Sequence, residues 1–570
     1  MKILGIHDGH TATACVMIDG EIKAMVSEER LWHQKERGGF PRKAIEEVLK
    51  ISGISARDID RVAVSTITPP LLPEEFSDPK FPRNLYQALY RFIPRTLLQG
   101  DWYVDLLVGW VERFSRRREK IEKLLRDMGI DASIEFVEHH LAHAASAYFG
   151  SGFNRALVVT LDGSGDGISG SYYHAEGLSL NRIGRISAYN SIGEFYTRIT
   201  EYLGMKPLSH EYKVMGLAPY ANIEYAQRIY REKVRNLFEV RGDKIINRSG
   251  VYKRDYLGLF RKLFFKVRFD SIAYSAQKLL EDIVYEWIEN IRGSYDTIAA
   301  AGGVFMNVKM NYGLLRRFSN VFIMPSSGDE STAYGAAAYV SAQNGIRPKP
   351  LGNLYFGRDF DDREVEKALE ELDESEFVVE KIGDDIHEYV AEMLVDGFIV
   401  ARFYGPSEWG ARALGNRSIL ADPRNYGVIS RINRAIKKRD FWMPFAPSVL
   451  AEVFEDYFDV PVRTKSEKYM IIAYPTRAAA RSSIPAGLHQ HDLTGRPQVV
   501  FEEDNPEYYR LIKRFMEKTG VGGVLNTSFN LHGYPIVYTP EQAIFTLKNS
   551  DLDALAIGPY MVRRKRPVSE

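Results

Sequence analysis

Cysteine is almost missing from this chain: Cys15 is the single one in 570 residues. That excludes an internal disulfide and any cysteine-ligated metal, and it fits a reducing compartment. A surplus of either charge is missing as well, with 75 Lys+Arg against 75 Asp+Glu. No net field therefore draws in nucleic acid or a membrane surface. Long apolar runs are scarce. The opening MKILGIHDGH reaches polar residues too soon for a secretory leader. The most apolar run outside the expected core strands, WYVDLLVGWVERF, is too short and too charged to span a bilayer. Low-complexity tracts and short-period repeats are missing too. The expectation is a soluble cytoplasmic protein with no nucleic-acid or membrane partner, long enough for about three or four folding units.

What is present is a series of strand–loop–helix junctions. KILGIHDGHTATACVMIDGEIKAMVSEER predicts β-strands joined at Asp19-Gly20, a hairpin turn pair, with the loop HDGHTA leaving the first strand. RALVVTLDGSGDGISGSYYHA reads as an apolar strand, a Gly/Asp-rich turn and a β-rich return. TIAAAGGVFMNVKMNYGLL and VFIMPSSGDESTAYGAAAYV add two further junctions. Such repetition describes an α/β fold with its site at strand ends. Residues 70–130 differ, being rich in aromatics, prolines and basic residues. They are expected to form a helical insertion capping the first half, with SRRREK as a solvated helix face. The Pro- and Gly-bearing stretch at 346–357 is the expected linker between domains at 1–345 and 358–570. The terminal RRKRPVSE reads as a frayed, solvated tail.

Two groups of residues could carry chemistry. His139 and His143 stand four apart in EHHLAHAASAYFG, on one helical face. Asp162 opens DGSGDG after an apolar strand, and Asp329 sits in SSGDES after another. Two imidazoles and two carboxylates suit Fe(II), Mn(II) or Zn(II), although Asp-Gly is also an ordinary turn former. Gly302-Gly303 would let a flat ligand approach the backbone. In the second half, Arg412 and Arg417 lie among glycines beside Asn416 and Ser418; Lys437, Lys438, Arg439 and Arg496 follow, and Asn526 and Ser528 close a strand. Together these would hold phosphate or carboxylate oxygens, the alternative for each being a surface ion pair.

These motifs, in this order, resemble the O-carbamoyltransferases of nodulation-factor, cephamycin and tobramycin biosynthesis. The ordered set is GIHDGHTATACVMIDGEIKAMVSEER, HHLAHAASAY, LDGSGDG, YKVMGLAPY, GGVFMN, GDESTAYGAA, ARALGNRSILADPR, PFAPSVL and NTSFNLHGYPIV, spanning nearly the whole chain. The resemblance implies a bilobal actin-like ATPase domain, similar to the tRNA threonylcarbamoyl-transfer protein Kae, followed by a YrdC-like α+β domain. It implies that the second domain makes carbamoyl-adenylate from carbamoyl phosphate and Mg-ATP, and that the first transfers the carbamoyl group to a small-molecule hydroxyl. On matched positions His139, His143, Asp162 and Asp329 would bind Fe(II) or Mn(II), with Gly302, Gly303 and Asn307 along the nucleotide. Arg412, Lys437, Arg439, Arg496, Asn526 and Ser528 would hold the carbamoyl phosphate and adenylate, and His10 would be the base.

Two positions depart from the family pattern. Met443 precedes PFAP where an arginine is usual, so a cation is lost unless Lys438 or Arg439 compensates; Leu493 occupies a glycine position in HQHDLTGRPQ. Competing expectations are an actin-like sugar kinase, threonylcarbamoyl transfer to tRNA, and a nucleotide sensor without turnover. The acceptor, the choice of metal and the oligomeric state stay open at this level.

Overall fold

The computed structural model describes residues 1–70, 93–100, 104–106, 108–109 and 116–565. Much of the expected 70–130 insertion and the last five residues of the basic tail lie outside the described residues. The chain divides into two compact units: Met1–Lys23 with Gly38–Leu351, and Ala24–Arg37 with Gly352–Glu570. The passage of Ala24–Arg37 into the second unit has no counterpart in the expected linear division.

The first five strands, β1 (Lys2–His7), β2 (Thr13–Ile18), β3 (Glu21–Ser27, which runs on into the Ala24–Arg37 segment), β4 (Arg61–Ser65) and β5 (Ser133–Val137), form a sheet ordered β3-β2-β1-β4-β5. Asp19 and Gly20 both have positive φ, 48° and 79°, as the tight turn between β2 and β3 requires. The chain continues through β6 (Arg155–Gly165), β7 (Ile168–Glu176), β8 (Ser179–Ser187), a separate ribbon of β9 (Phe238–Arg241) and β10 (Lys244–Asn247), then β11 (Thr297–Ala301) and β12 (Asn320–Ile323). The second sheet is ordered β12-β11-β6-β7-β8. Both sheets therefore share one plan. A central strand, β1 or β6, pairs with its hairpin partner on one side and with parallel strands on the other. This is the bilobal α/β architecture implied by the actin-like resemblance.

The two halves exchange their closing helices. β5 leads into the helix His139–Ser151, which packs on β6, β7 and β11; β12 leads into the helix Ser331–Gln343, which packs on β1, β2 and β4. The two helices also pack on each other. Their small residues allow this: a Cβ on Gly335 would lie 1.8 Å from the Ala142 carbonyl oxygen, far inside contact distance. Glu138 caps the first helix by accepting from the His140 and Leu141 amides, and Gly152, at φ 75°, ends it.

The second unit holds an eight-stranded mixed sheet. Its strands are β13 (Phe377–Lys381), β14 (Val400–Phe403), β15 (Arg417–Ala421), β16 (Ala446–Leu450), β17 (Gln498–Val500), β18 (Gly523–Ser528), β19 (Ala554–Ile557) and β20 (Tyr560–Arg564), ordered β13-β20-β19-β14-β15-β18-β16-β17. Ile399, Phe403, Ile419, Leu525, Ile544 and Leu555 are among its fully buried core residues. Among the described residues no helix is long and apolar enough to cross a membrane.

Candidate functional site

The fold brings His139, His143, Asp162 and Asp329 together in the first unit, with one ligand atom from each lying within 4.8 Å of the others. The helix exchange is the cause. The histidines open one exchanged helix, Asp329 immediately precedes the other, and Asp162 lies in β6 where the strand passes into its glycine turn. His139 Nε2 is 3.2 Å from Asp162 Oδ2 and 3.6 Å from Asp329 Oδ1; His143 Nε2 is 3.9 Å and 3.6 Å from the same two atoms. A Cβ on Gly165 would lie 2.1 Å from the His139 ring, so only glycine leaves room for it.

Electrostatics mark this cluster as incomplete. Burial alone would pull His139 down, but the carboxylates of Asp329 and Asp162 outweigh it and lift the ring to about 9. Asp162 is also buried, yet its hydrogen bond to His139 and the nearby His143 hold it far below the usual carboxylate range. His143 Nε2 is buried with no hydrogen-bond partner. An unbonded imidazole nitrogen facing two carboxylates, within a nitrogen-and-oxygen donor set, fits a divalent cation of the Fe(II), Mn(II) or Zn(II) kind.

The surroundings contain residues that the sequence patterns did not single out. His140, between the two clustered histidines, is a core residue: Nδ1 bonds Thr160 Oγ1 at 2.8 Å and Nε2 bonds the Ile168 carbonyl at 3.1 Å. Asp166 accepts from the amides of His139, Ile67 and Thr68, tying the helix start to the loop after β4. Arg117, expected on a solvated face, is buried, paired with Asp8 and bonded to the Thr66 carbonyl. A compensating aspartate and free carbonyls drew it inward. His7, at the end of β1, is fully buried.

The other expected residues of this unit are placed as follows. His10 Nε2 is buried without a partner. Gly302 has φ 103° and packs on the Leu161 backbone, where a Cβ would meet the carbonyl oxygen at 2.2 Å. The Gly303 amide donates to Asp162 Oδ1 at 3.0 Å. The Asn307 side chain exchanges two hydrogen bonds with Gln277 and caps the helix Val308–Leu315.

In the second unit, Lys437 and Arg496 lack carboxylate partners among the described residues. Lys437 Nζ instead donates to the Ser528 carbonyl and hydroxyl, the latter at 3.1 Å, and to Asn530 Oδ1 at 2.7 Å. Its withdrawal from water, then the charges of Arg439 and Lys35, push it well below the usual lysine range. Arg496 is pushed down in the same way by burial and by Arg412 and Arg439. Like charges gathered in this way disfavour one another's protonated forms.

Of the two cations expected near Met443, the fold turns Arg439 toward Lys437 and Arg496. Arg439 donates to Thr527 Oγ1 at 2.9 Å and stands among the other cations, whereas Lys438 is exposed and Met443 is buried. Asn526 is a brace for the Arg412 loop, donating to the Ala413 carbonyl at 3.2 Å and to Ser448 Oγ at 2.9 Å. Glu408 holds the same loop through the Leu414 and Arg417 amides. Arg417 is no oxygen-binding fork: it is fully buried over the Phe403 ring at 3.7 Å and donates to backbone carbonyls. Asn416 and Ser418 are likewise bonded within the fold.

The fold and the two clusters define a two-unit α/β protein with a histidine–carboxylate cluster in one unit and a group of cationic side chains in the other. The chain belongs to the carbamoyltransferase family: the models described as Carbamoyltransferase N-terminus and Carbamoyltransferase C-terminus match residues 2–338 and 391–564. It is 34% identical to the nodulation protein NolNO of Sinorhizobium fredii, over 98% of this chain and 79% of that one. It is 28% identical to the 3'-hydroxymethylcephem-O-carbamoyltransferase of Amycolatopsis lactamdurans, over 46% and 48% of the two chains. Among solved structures, HypF of T. kodakarensis is similar with a TM-score of 0.32 and 13% identity, over 60% of this chain and 48% of that one.

Proposed function

We propose that this carbamoyltransferase makes carbamoyl-adenylate from carbamoyl phosphate and Mg-ATP in its second unit and transfers the carbamoyl group to a small-molecule hydroxyl in its first. The observation that carries the reading is the pairing, on one chain, of a histidine–carboxylate cluster with two buried cations, Lys437 and Arg496, that have no carboxylate partner among the described residues.

In the second unit, Arg412, Lys437, Arg439 and Arg496 would neutralise the phosphate oxygens, with the Ser528 hydroxyl as a further contact. For the atoms to balance, carbamoyl phosphate gives up its phosphate to water. The carbamate oxygen then attacks the α-phosphorus of ATP and pyrophosphate leaves. Excluding bulk water protects the mixed anhydride, and linking both sites on one chain shortens its exposure.

In the first unit, the acceptor oxygen attacks the carbamoyl carbon, AMP leaves with the electron pair, and the hydroxyl proton passes to a base. His10, whose Nε2 is buried without a partner, is the assigned base. A divalent cation, Fe(II) or Mn(II), held by His139, His143, Asp162 and Asp329 would supply Lewis acidity toward the carbamoyl oxygen. Gly302, Gly303 and Asn307 are assigned to the nucleotide side of that site. The acceptor class is a sugar or another hydroxyl-bearing metabolite.

The test needs no acceptor. Purified protein is given ATP, magnesium and carbamoyl phosphate, and pyrophosphate is measured with each component left out in turn. Release that depends on carbamoyl phosphate and disappears in Arg496→Ala is the expected result. ATP binding without any release would overturn the adenylation step and leave the sensor reading in its place.

A further inference from the structure

Resting on the metal reading above, we infer that His7 is a positioning residue that fixes both the assigned base loop and the Asp329 ligand through a single imidazole tautomer. His7 closes β1, is fully buried, and belongs to none of the residue sets described so far.

Its neighbours determine its protonation pattern. Nε2 lies 3.1 Å from the His10 carbonyl oxygen and 3.9 Å from Asp329 Oδ2. Both are acceptors, so Nε2 must carry the hydrogen. Nδ1 lies 2.9 Å from Ser65 Oγ, whose hydroxyl donates to it, and 3.0 Å from Thr332 Oγ1. The tautomer is thus assigned from its partners. Gly9 makes the arrangement possible, because a Cβ there would come 2.6 Å from Nε2.

Each bond has a consequence for the site. The bond to the His10 carbonyl pins the turn that carries the His10 side chain. On the other side of the ring, Thr332 Oγ1 gives its single hydrogen to the Asp329 carbonyl at 2.6 Å, so the residue packed against Nδ1 is the one that holds the main chain of that ligand. The two oxygens of Asp329 are divided: Oδ1 faces His139 and His143, and Oδ2 faces the His7 N–H edge. At 3.9 Å that last contact is electrostatic, beyond hydrogen-bond length. It favours one orientation of the carboxylate, with Oδ1 toward the cluster. Partners of this kind orient ligands and change metal affinity by about 10–100-fold.

The test uses the full chain and Mn(II) alone as the probe, read by equilibrium binding and by the electron paramagnetic resonance spectrum of the bound ion. Gln can place a donor where Nε2 stands, whereas Asn reaches only the Nδ1 side. His7→Leu and His7→Asn are expected to weaken Mn(II) binding at least tenfold and to broaden its spectrum. His7→Gln is expected to stay within about threefold of the parent. Circular dichroism melting identifies folded variants, and the Asn-against-Gln contrast decides if the Leu variant does not fold. Equal binding by folded Asn and Gln variants would overturn the inference while leaving the metal reading intact. A parent chain that takes up no Mn(II) would overturn the metal reading itself.

Discussion

The two sites differ in how their own charges treat one another. In the first unit imidazoles meet carboxylates, and the metal-free cluster satisfies itself partly by protonating His139, which is lifted to about 9. In the second unit cations meet cations, which makes Lys437 easier to deprotonate, and neutral oxygens of Ser528, Asn530 and Thr527 hold Lys437 and Arg439 in place. The first site competes with protons for its ligand. The second gathers like charges, each of which disfavours the protonated form of its neighbours.

The sharpest way to break this contrast is Arg496→Ala. It is expected to lower carbamoyl-phosphate-dependent pyrophosphate release by at least about 100-fold, about 2.7 kcal/mol, as for other removed transition-state donors. Mn(II) uptake by the first unit should not change; a joint loss would mean the sites are not independent. Next comes Gly335→Ala, which drives a methyl group into the Ala142 carbonyl and parts the helix bearing His139 and His143 from the helix that follows Asp329. About 2 kcal/mol of stability should be lost, seen by denaturant unfolding, along with weaker Mn(II) binding but near-normal pyrophosphate release.

A more graded effect is expected from pH. The folded value of His139 lies above its ordinary 6.5, so its stabilising contribution to metal-free protein is complete below that pH. It is lost as pH rises from 6.5 through about 9. A bound cation needs the unprotonated ring, so stabilisation by Mn(II) should grow across the same window. Melting curves with and without the ion check both trends, and His139→Gln should flatten them. The smallest effect concerns Leu493, held at φ 56°, a conformation that suits glycine. Leu493→Gly should add about 0.5–1 kcal/mol by thermal unfolding, net of the looser unfolded chain, and leave pyrophosphate release unchanged.

Much of this was legible in residue patterns, because strand-end aspartates and paired helical histidines leave local traces. The four residues of the cation cluster lie in stretches whose structure follows from their own sequence. The glycine position filled by Leu493 also has a local cause, its left-handed backbone. What stayed hidden depends on partners far along the chain. Arg117 looks solvated in SRRREK until Asp8, 109 residues away, is seen beside it. Arg417 looks like an oxygen-binding fork until the carbonyls of Tyr404 and Gly405 are found to occupy it. His7 reads as one more loop histidine, and its meaning comes from Ser65 and Thr332.

The excursion of Ala24–Arg37 has a practical corollary. The chain changes unit three times, after Lys23, after Arg37 and after Leu351. No single cut can deliver both units whole. A fragment starting at Gly352 would lack Arg30, whose guanidinium bonds the Gly410 carbonyl at 2.7 Å beside the Arg412 loop, and Lys35, which adds its charge near Lys437. Such a truncation would lose both contributions. A faithful dissection has to graft the fourteen-residue segment Ala24–Arg37 back on, because the second unit is not one continuous stretch of chain.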